Sequence, residues 1–161
     1  TPKASPPCEV LRLAAAMRTC NANRMSAAEN KQLMEQIFAE LSEGNSRPMV
    51  DHLADDVRWT VMGTTPWSKT YEGKQTVLTD LLGVLRSRLA DRYRATAQLI
   101  LADGDRVVVQ ARGQSTAKSG VPYNNEYCFI YRIADGRIHE VTEYLDTQLL
   151  MTALGSEPPG L

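Results

Sequence analysis

Cysteine and histidine are both scarce in this chain: Cys8, Cys20 and Cys128, with His52 and His139, are all that 161 residues contain. The cysteines are scattered and form no Cys-x-x-Cys pair, which argues against a disulfide framework or a zinc ribbon. Without a His-Glu-x-x-His run or a Cys/His cluster, the sequence offers no ligand set for a metal. An excess of one charge is also missing. Lys and Arg number 18 against 19 Asp and Glu, a net charge of −1 with no block of like charges, so the footprint of a nucleic-acid binder is absent. No apolar run is long enough to span a bilayer. The expectation is a cytoplasmic protein that uses no metal, membrane or nucleic acid.

What is present suits one domain with a real core, since 43% of the residues are hydrophobic. Residues 1–24 stand apart as an N-terminal extension. Pro2, Pro6 and Pro7 make its start irregular, and Arg12 and Arg18 interrupt the apolar core that a secretory signal needs. Either Met25 is the natural start, or the extension supplies an amphipathic lead helix. The domain is expected over 25–161. There "MSAAENKQLMEQIFAEL" opens with a Ser26/Glu29 capping box and repeats Leu33, Met34, Ile37, Phe38 and Leu41 on one helical face.

Ser46 and Pro48 mark a short second helix, followed by a strand with Val57, Trp59 and Val61 on one side. "TTPWSKTYEG" is rich in turn formers and reads as a loop over an opening, with Trp67 as lid or dimer contact. "KQTVLTDLLGVLRSRL" is a third helix with Val77, Leu78, Leu81, Leu82, Leu85 and Leu89 inward. Four strands then follow, near 93–102, 106–116, 123–133 and 137–146, turning at Asp103-Gly104 and Asp135-Gly136, and a short helix closes the domain. Helices first and hairpin-linked strands after predict an α+β fold with helices on one face of an antiparallel sheet.

On the last strand, His139, Val141, Glu143 and Leu145 share the more apolar side, so a carboxylate stands between Val141 and Leu145. Turned inward, it must be hydrogen-bonded, neutralised by a raised pKa, or set beside a pocket. His139 lies about 13 Å from it along the strand and reads as a rim residue. In "RVVVQARGQS" Val107, Val109 and Ala111 take one side; Val108, Gln110, Arg112 and Gln114 take the other. Arg112 therefore falls opposite the apolar face, unless a bulge near Gly113 turns it inward. Tyr123, Asn125 and Tyr127 alternate on one side of their strand, Cys128 reads as a small buried hydrophobe, and Asp146 reads as the cap of the closing helix.

"HLADDVRWTVMG", "YEGKQTV" and "SGVPYNNEYCFIYRIADGRIHEVTEYLDT" resemble the SnoaL-like, ketosteroid-isomerase-related branch of the nuclear-transport-factor-two-like superfamily, over roughly residues 30–150. The resemblance implies a strongly curved antiparallel sheet wrapped around three or four helices, a cystatin-like cone with an apolar pocket in its mouth. It also implies homodimers through the outer sheet face and a small hydrophobic molecule as ligand. Ketosteroid isomerases place a catalytic aspartate where Val61 or Met62 stands here, although Tyr127 or Tyr131 remain as oxyanion donors. In limonene-type epoxide hydrolases the matching set is two carboxylates and an arginine; Glu143, Arg112 and Gln114 occupy similar places, with Gln114 unable to act as acid or base. Trp59 and Val61 replace that family's water-orienting tyrosine and asparagine.

The combined expectation is a cofactor-free enzyme of isomerase, cyclase/dehydratase or epoxide-hydrolase type. Glu143 is its proton-transfer group and Arg112 orients it, while Trp59, Val61, Gln114, Tyr127 and Trp67 bind substrate. The alternative is a noncatalytic small-ligand-binding or dimeric interaction domain in which Glu143 and Arg112 simply pair.

Overall fold

The computed structural model describes residues 25–155. The extension at 1–24, with Cys8 and Cys20, and the Pro158-Pro159 end lie outside the described residues. Helix α1, Ala27–Ser42, begins at the anticipated capping box: Ser26 Oγ accepts from the Glu29 amide, and the Glu29 carboxylate accepts from the Ser26 amide at 2.7 Å. Its Met34, Ile37, Phe38 and Leu41 are buried. Helix α2, Arg47–His52, starts with Pro48 in its first turn and runs straight into strand β1, Leu53–Val61.

Strand β2, Thr70–Glu72, lies within the stretch expected to be wholly loop. Three residues are too few for alternation to reveal a strand. Helix α3 then runs through three contiguous pieces, Lys74–Thr76, a π-helical turn Val77–Leu82, and Gly83–Arg88. The wider turn rotates the residues after it, so Val84 is buried while Leu82 and Leu85 are only partly covered, unlike the inward face read from a regular helix. The remaining strands are β3, Arg94–Asp103, β4, Arg106–Gln114, β5, Glu126–Ala134, and β6, Arg137–Leu145; helix α4, Thr147–Leu154, ends the described chain.

The six strands form one curved, unclosed sheet ordered β2-β1-β6-β5-β4-β3, with α1 against β3 and β4. All neighbours are antiparallel except β1 and β6, which run parallel. The long path between them makes this geometry reachable, whereas the tight hairpins at β3–β4 and β5–β6 impose the antiparallel one. Alternation separates the faces: Val57, Trp59, Val61, Val107, Val109, Ala111, Tyr127, Phe129, Tyr131 and Val141 are buried inside. Cys128, between Tyr127 and Phe129, faces out and is half-buried rather than core. His139 is the extra residue of a bulge in β6; it leaves the Glu143 side and meets Asp56 at 3.1 Å.

Candidate active site

The inner face of the sheet, roofed by Phe38 of α1 and flanked by α2, α3 and α4, lines a partly open cavity of about 100 Å³. Phe38 meets the rings of Phe129 and Tyr131 at 6.2 and 6.4 Å between centroids. Met49 and Val50 of α2 and Leu82 and Leu85 of α3 complete the wall, with Leu150 of α4. Almost every atom presented to the interior is apolar. Among the described residues, Glu143 is the one charged group in that wall.

Glu143 gets there by register. It stands across β5 from Phe129 and across the parallel ladder from Val61, so its side chain shares the inner face with both. The Met62 amide donates to the Glu143 carbonyl at 2.9 Å, locking this end of β6 to β1. The carboxylate accepts a 2.7 Å hydrogen bond from Trp59 Nε1. Trp59, 5% exposed, is in turn fixed edge-on against Phe129. Glu143 keeps some accessible surface where it borders the cavity, but protein atoms surround it. Loss of water pushes its pKa up to about 7, with the Trp59 N–H pulling the other way by favouring the anion. The site thus holds a carboxyl that exchanges a proton near neutrality.

A second polar feature lies where β4 and β5 begin to part. Tyr127 Oη donates to Tyr123 Oη at 3.3 Å, and the Tyr93 ring stands edge-on to that of Tyr127 with 6.4 Å between centroids. Burial raises the pKa of all three phenols, so each is held as a neutral hydroxyl. Gly113 makes room for the cluster. A Cβ there would lie 3.0 Å from Tyr127 and 3.1 Å from the Tyr93 hydroxyl. Asn125, fully buried, donates to the Asp146 carbonyl and accepts from its amide, both at 2.9 Å, which ties β5 to the start of α4. Asp146 caps that helix by accepting from the Leu149 amide at 3.0 Å.

Of the residues singled out from sequence, Glu143, Trp59, Val61, Tyr127 and Trp67 all border the cavity. Trp67 is neither lid nor exposed contact. It is 1% exposed, and its Nε1 donates to the Gly155 carbonyl at 3.0 Å. Arg112 and Gln114 are not brought to the cavity. Both lie on the outer face, where Arg112 pairs with Glu126 at 3.4 Å, so the expected Arg112–Glu143 partnership is not formed. The reason is the strand itself: β4 pairs with β5 without interruption from Arg106 to Arg112, and the bulge beside it is in β3, between Ala97 and Leu99. Gly113 serves close packing and not a bulge. Sequence reasoning passed over Tyr93 and Phe129 as wall residues. Continuing the Tyr123–Tyr127 alternation points to Phe129; no local signal marks Tyr93.

The family model of the SnoaL-like domain matches residues 34–141. No protein of curated function matches the sequence. Among solved structures, an NTF2-like protein of unknown function from Burkholderia pseudomallei superposes with a TM-score of 0.67 at 21% identity, covering 81% of this chain and 98% of its own. A protein from Jannaschia assigned to the SnoaL-like polyketide cyclases gives 0.66 at 20% identity, over 82% and 95%. An LEH-like epoxide hydrolase from M. tuberculosis gives 0.61 at 20% identity, over 80% and 90%. At such identities the likeness is one of fold.

Proposed function

The chain belongs to the SnoaL-like domain family, and on that premise we propose that it is a cofactor-free enzyme that moves a proton on a small, largely apolar molecule held in the cavity. Glu143 is the proton-transfer group. The observation that carries this reading is a lone carboxyl, anchored by Trp59 and poised near pH 7, in the wall of an otherwise apolar cavity. A glutamate kept only for structure would be expected to have an arginine or several donors on it; this one has a single donor, and Arg112 pairs elsewhere. Val61, where the isomerase resemblance looks for an aspartate, faces Glu143 directly across the ladder, so a carboxyl reaches the same patch of wall from the next strand. Trp59, Val61, Trp67 and Tyr127 shape the binding surface.

The test is a panel of small epoxides and enolisable cyclic ketones, read as diol formation and as exchange of α-hydrogen for deuterium. On any substrate turned over, Glu143→Gln should lower kcat by about 10²–10⁴. Proton abstraction needs the ionised form and should rise with pH through about 7. Full activity in Glu143→Gln would remove Glu143 from the mechanism.

We also infer that two copies pair through the outer sheet face. Leu101, Val108, Ile130, Thr142 and Thr60 stand in one row across five strands. A charged row flanks it, with Arg106 and Arg132 both on Glu140 at 2.9 Å and Arg58 on Glu72 at 3.3 Å. An apolar stripe with a polar rim is the usual anatomy of an interface.

A further inference from the structure

The two oxygens of Glu143 are not equivalent. Oε2 accepts from Trp59 Nε1 at 2.7 Å, the short end of the N–H···O range, as an ionised acceptor produces. Oε1 accepts from no group among the described residues, yet it is not shut in: Glu143 is half-buried, and the side-chain atoms buried without a partner are Asn30 Oδ1 and the Tyr131 hydroxyl. Oε1 is thus the oxygen left open where Glu143 borders the cavity. An indole N–H donates and never accepts. The bond holds best when Oε2 carries no proton, so the proton of the acid form sits on Oε1. The indole is itself fixed. Trp59 pairs with Tyr71 on β2 and with Val141 across the parallel ladder, and it meets Phe129 edge-on at 6.4 Å. Val61, two residues on, pairs with Glu143, so the indole reaches the carboxylate along the ladder diagonal. Helices α1 to α4 and β4 place no charged side chain in the cavity wall. The titratable neighbours of Glu143 are Tyr71, Tyr93, Tyr123, Tyr127 and Tyr131, phenols that burial holds neutral.

We propose that Trp59 is a positioning residue for the proton transfer: by holding Oε2 it assigns the moving proton to Oε1 and keeps that oxygen turned to the ligand. The role rests on Glu143 being the proton-transfer group. It differs from that of a wall residue, because it is exerted through the carboxyl and not on the ligand. A glutamate has three side-chain torsions to freeze, and one short bond from a rigid, buried ring removes most of that freedom before a ligand arrives.

Indole ¹⁵N–¹H spectra of the native protein test the contact without any ligand. The chain has two tryptophans, so one serves as control for the other. The Trp59 N–H resonance should shift with pH through a midpoint near 7, while that of Trp67, bonded to the Gly155 carbonyl, stays still. In Glu143→Gln the Trp59 titration should vanish. Trp59→Phe keeps a ring and removes the donor. There the Glu143 carboxyl, followed by its ¹³C resonance, should titrate about one to two pH units higher, because a group that favours the anion is gone. On any substrate turned over, kcat should fall about tenfold or more with KM little changed, and the pH at which kcat rises should move up with the carboxyl. A wall contact alone gives the reverse, a raised KM with both midpoints unmoved, and overturns the proposal. A Trp59 N–H that does not titrate, or one that still titrates in Glu143→Gln, overturns it too and leaves Glu143 as the proton-transfer group; these two spectra decide the matter even where Trp59→Phe does not fold. Full activity in Glu143→Gln overturns the proton-transfer reading, and the positioning role with it.

Discussion

Glu143 shows how one side chain carries both the proposed chemistry and a cost. Its folded pKa of about 7 lies above the ordinary carboxyl value of 4.5 because burial disfavours the anion. Between those two values the folded state holds a proton on Glu143 that the unfolded state has lost, so this group's contribution to stability is full below pH 4.5, falls as pH rises toward 7, and is gone above it. The amount at stake is on the order of 3 kcal/mol. Denaturant titrations at pH 5 and pH 8 should show native protein losing stability of that order, while Glu143→Gln, which cannot ionise, loses far less. At pH 8 the variant should be the more stable of the two. Equal pH dependence in both proteins would mean that Glu143 is not the buried titrating group. Its position was legible, because alternation with Val141 and Leu145 is a local property. Its single donor was not: Trp59 is 84 residues away, and only the β1–β6 ladder brings the indole to the carboxylate. Arg112 shows the same limit from the other side. Its strand phase pointed outward, and the tertiary pairing with Glu126 keeps it there.

At the scale of elements, α3 departs most from what its sequence pattern suggests. Its leucine spacing reads as a regular helix, but the Gly83 amide donates to the Leu78 carbonyl five residues back, inserting a π turn next to the cavity-lining Leu81 and Leu82. Replacing a mid-helix glycine with alanine normally adds about 0.5–1 kcal/mol of stability. Here the new Cβ would sit 2.8 Å from the Leu78 carbonyl oxygen, so the sign should reverse. Gly83→Ala is expected to cost about 1–3 kcal/mol by overpacking, measured by urea denaturation. A stabilised variant would mean that the π turn is not held at this position. The short β2 was invisible for another reason: three residues become a strand only because β1 presents an edge to them.

For the whole molecule, the proposed dimer rests on the outer sheet face. Leu101 is 55% exposed at the β3 end of the proposed apolar row and contributes little to the monomer core. Leu101→Glu should therefore leave folding intact and shift a sedimenting dimer to monomer at tens of micromolar, by setting two unpaired charges in an apolar stripe. Native protein that sediments as a monomer at that concentration would end the dimer proposal. Within the described residues no helix is long and apolar enough to cross a membrane, and no group of three or more His, Cys, Asp or Glu is placed to hold a metal.

The sequence by itself determined the capping box, the helix–then–hairpin order, the inward side of β1 with Val57, Trp59 and Val61, and the carboxylate that breaks an apolar face. These are consequences of neighbours within a few residues, through periods of 3.6 and 2. Tertiary structure alone decided that β1 runs parallel to β6, that Trp59 meets Glu143, and that the ring of Tyr93 joins that of Tyr127. Each of those joins residues far apart in the chain, and their energies depend on how much water the curved sheet and its helices exclude.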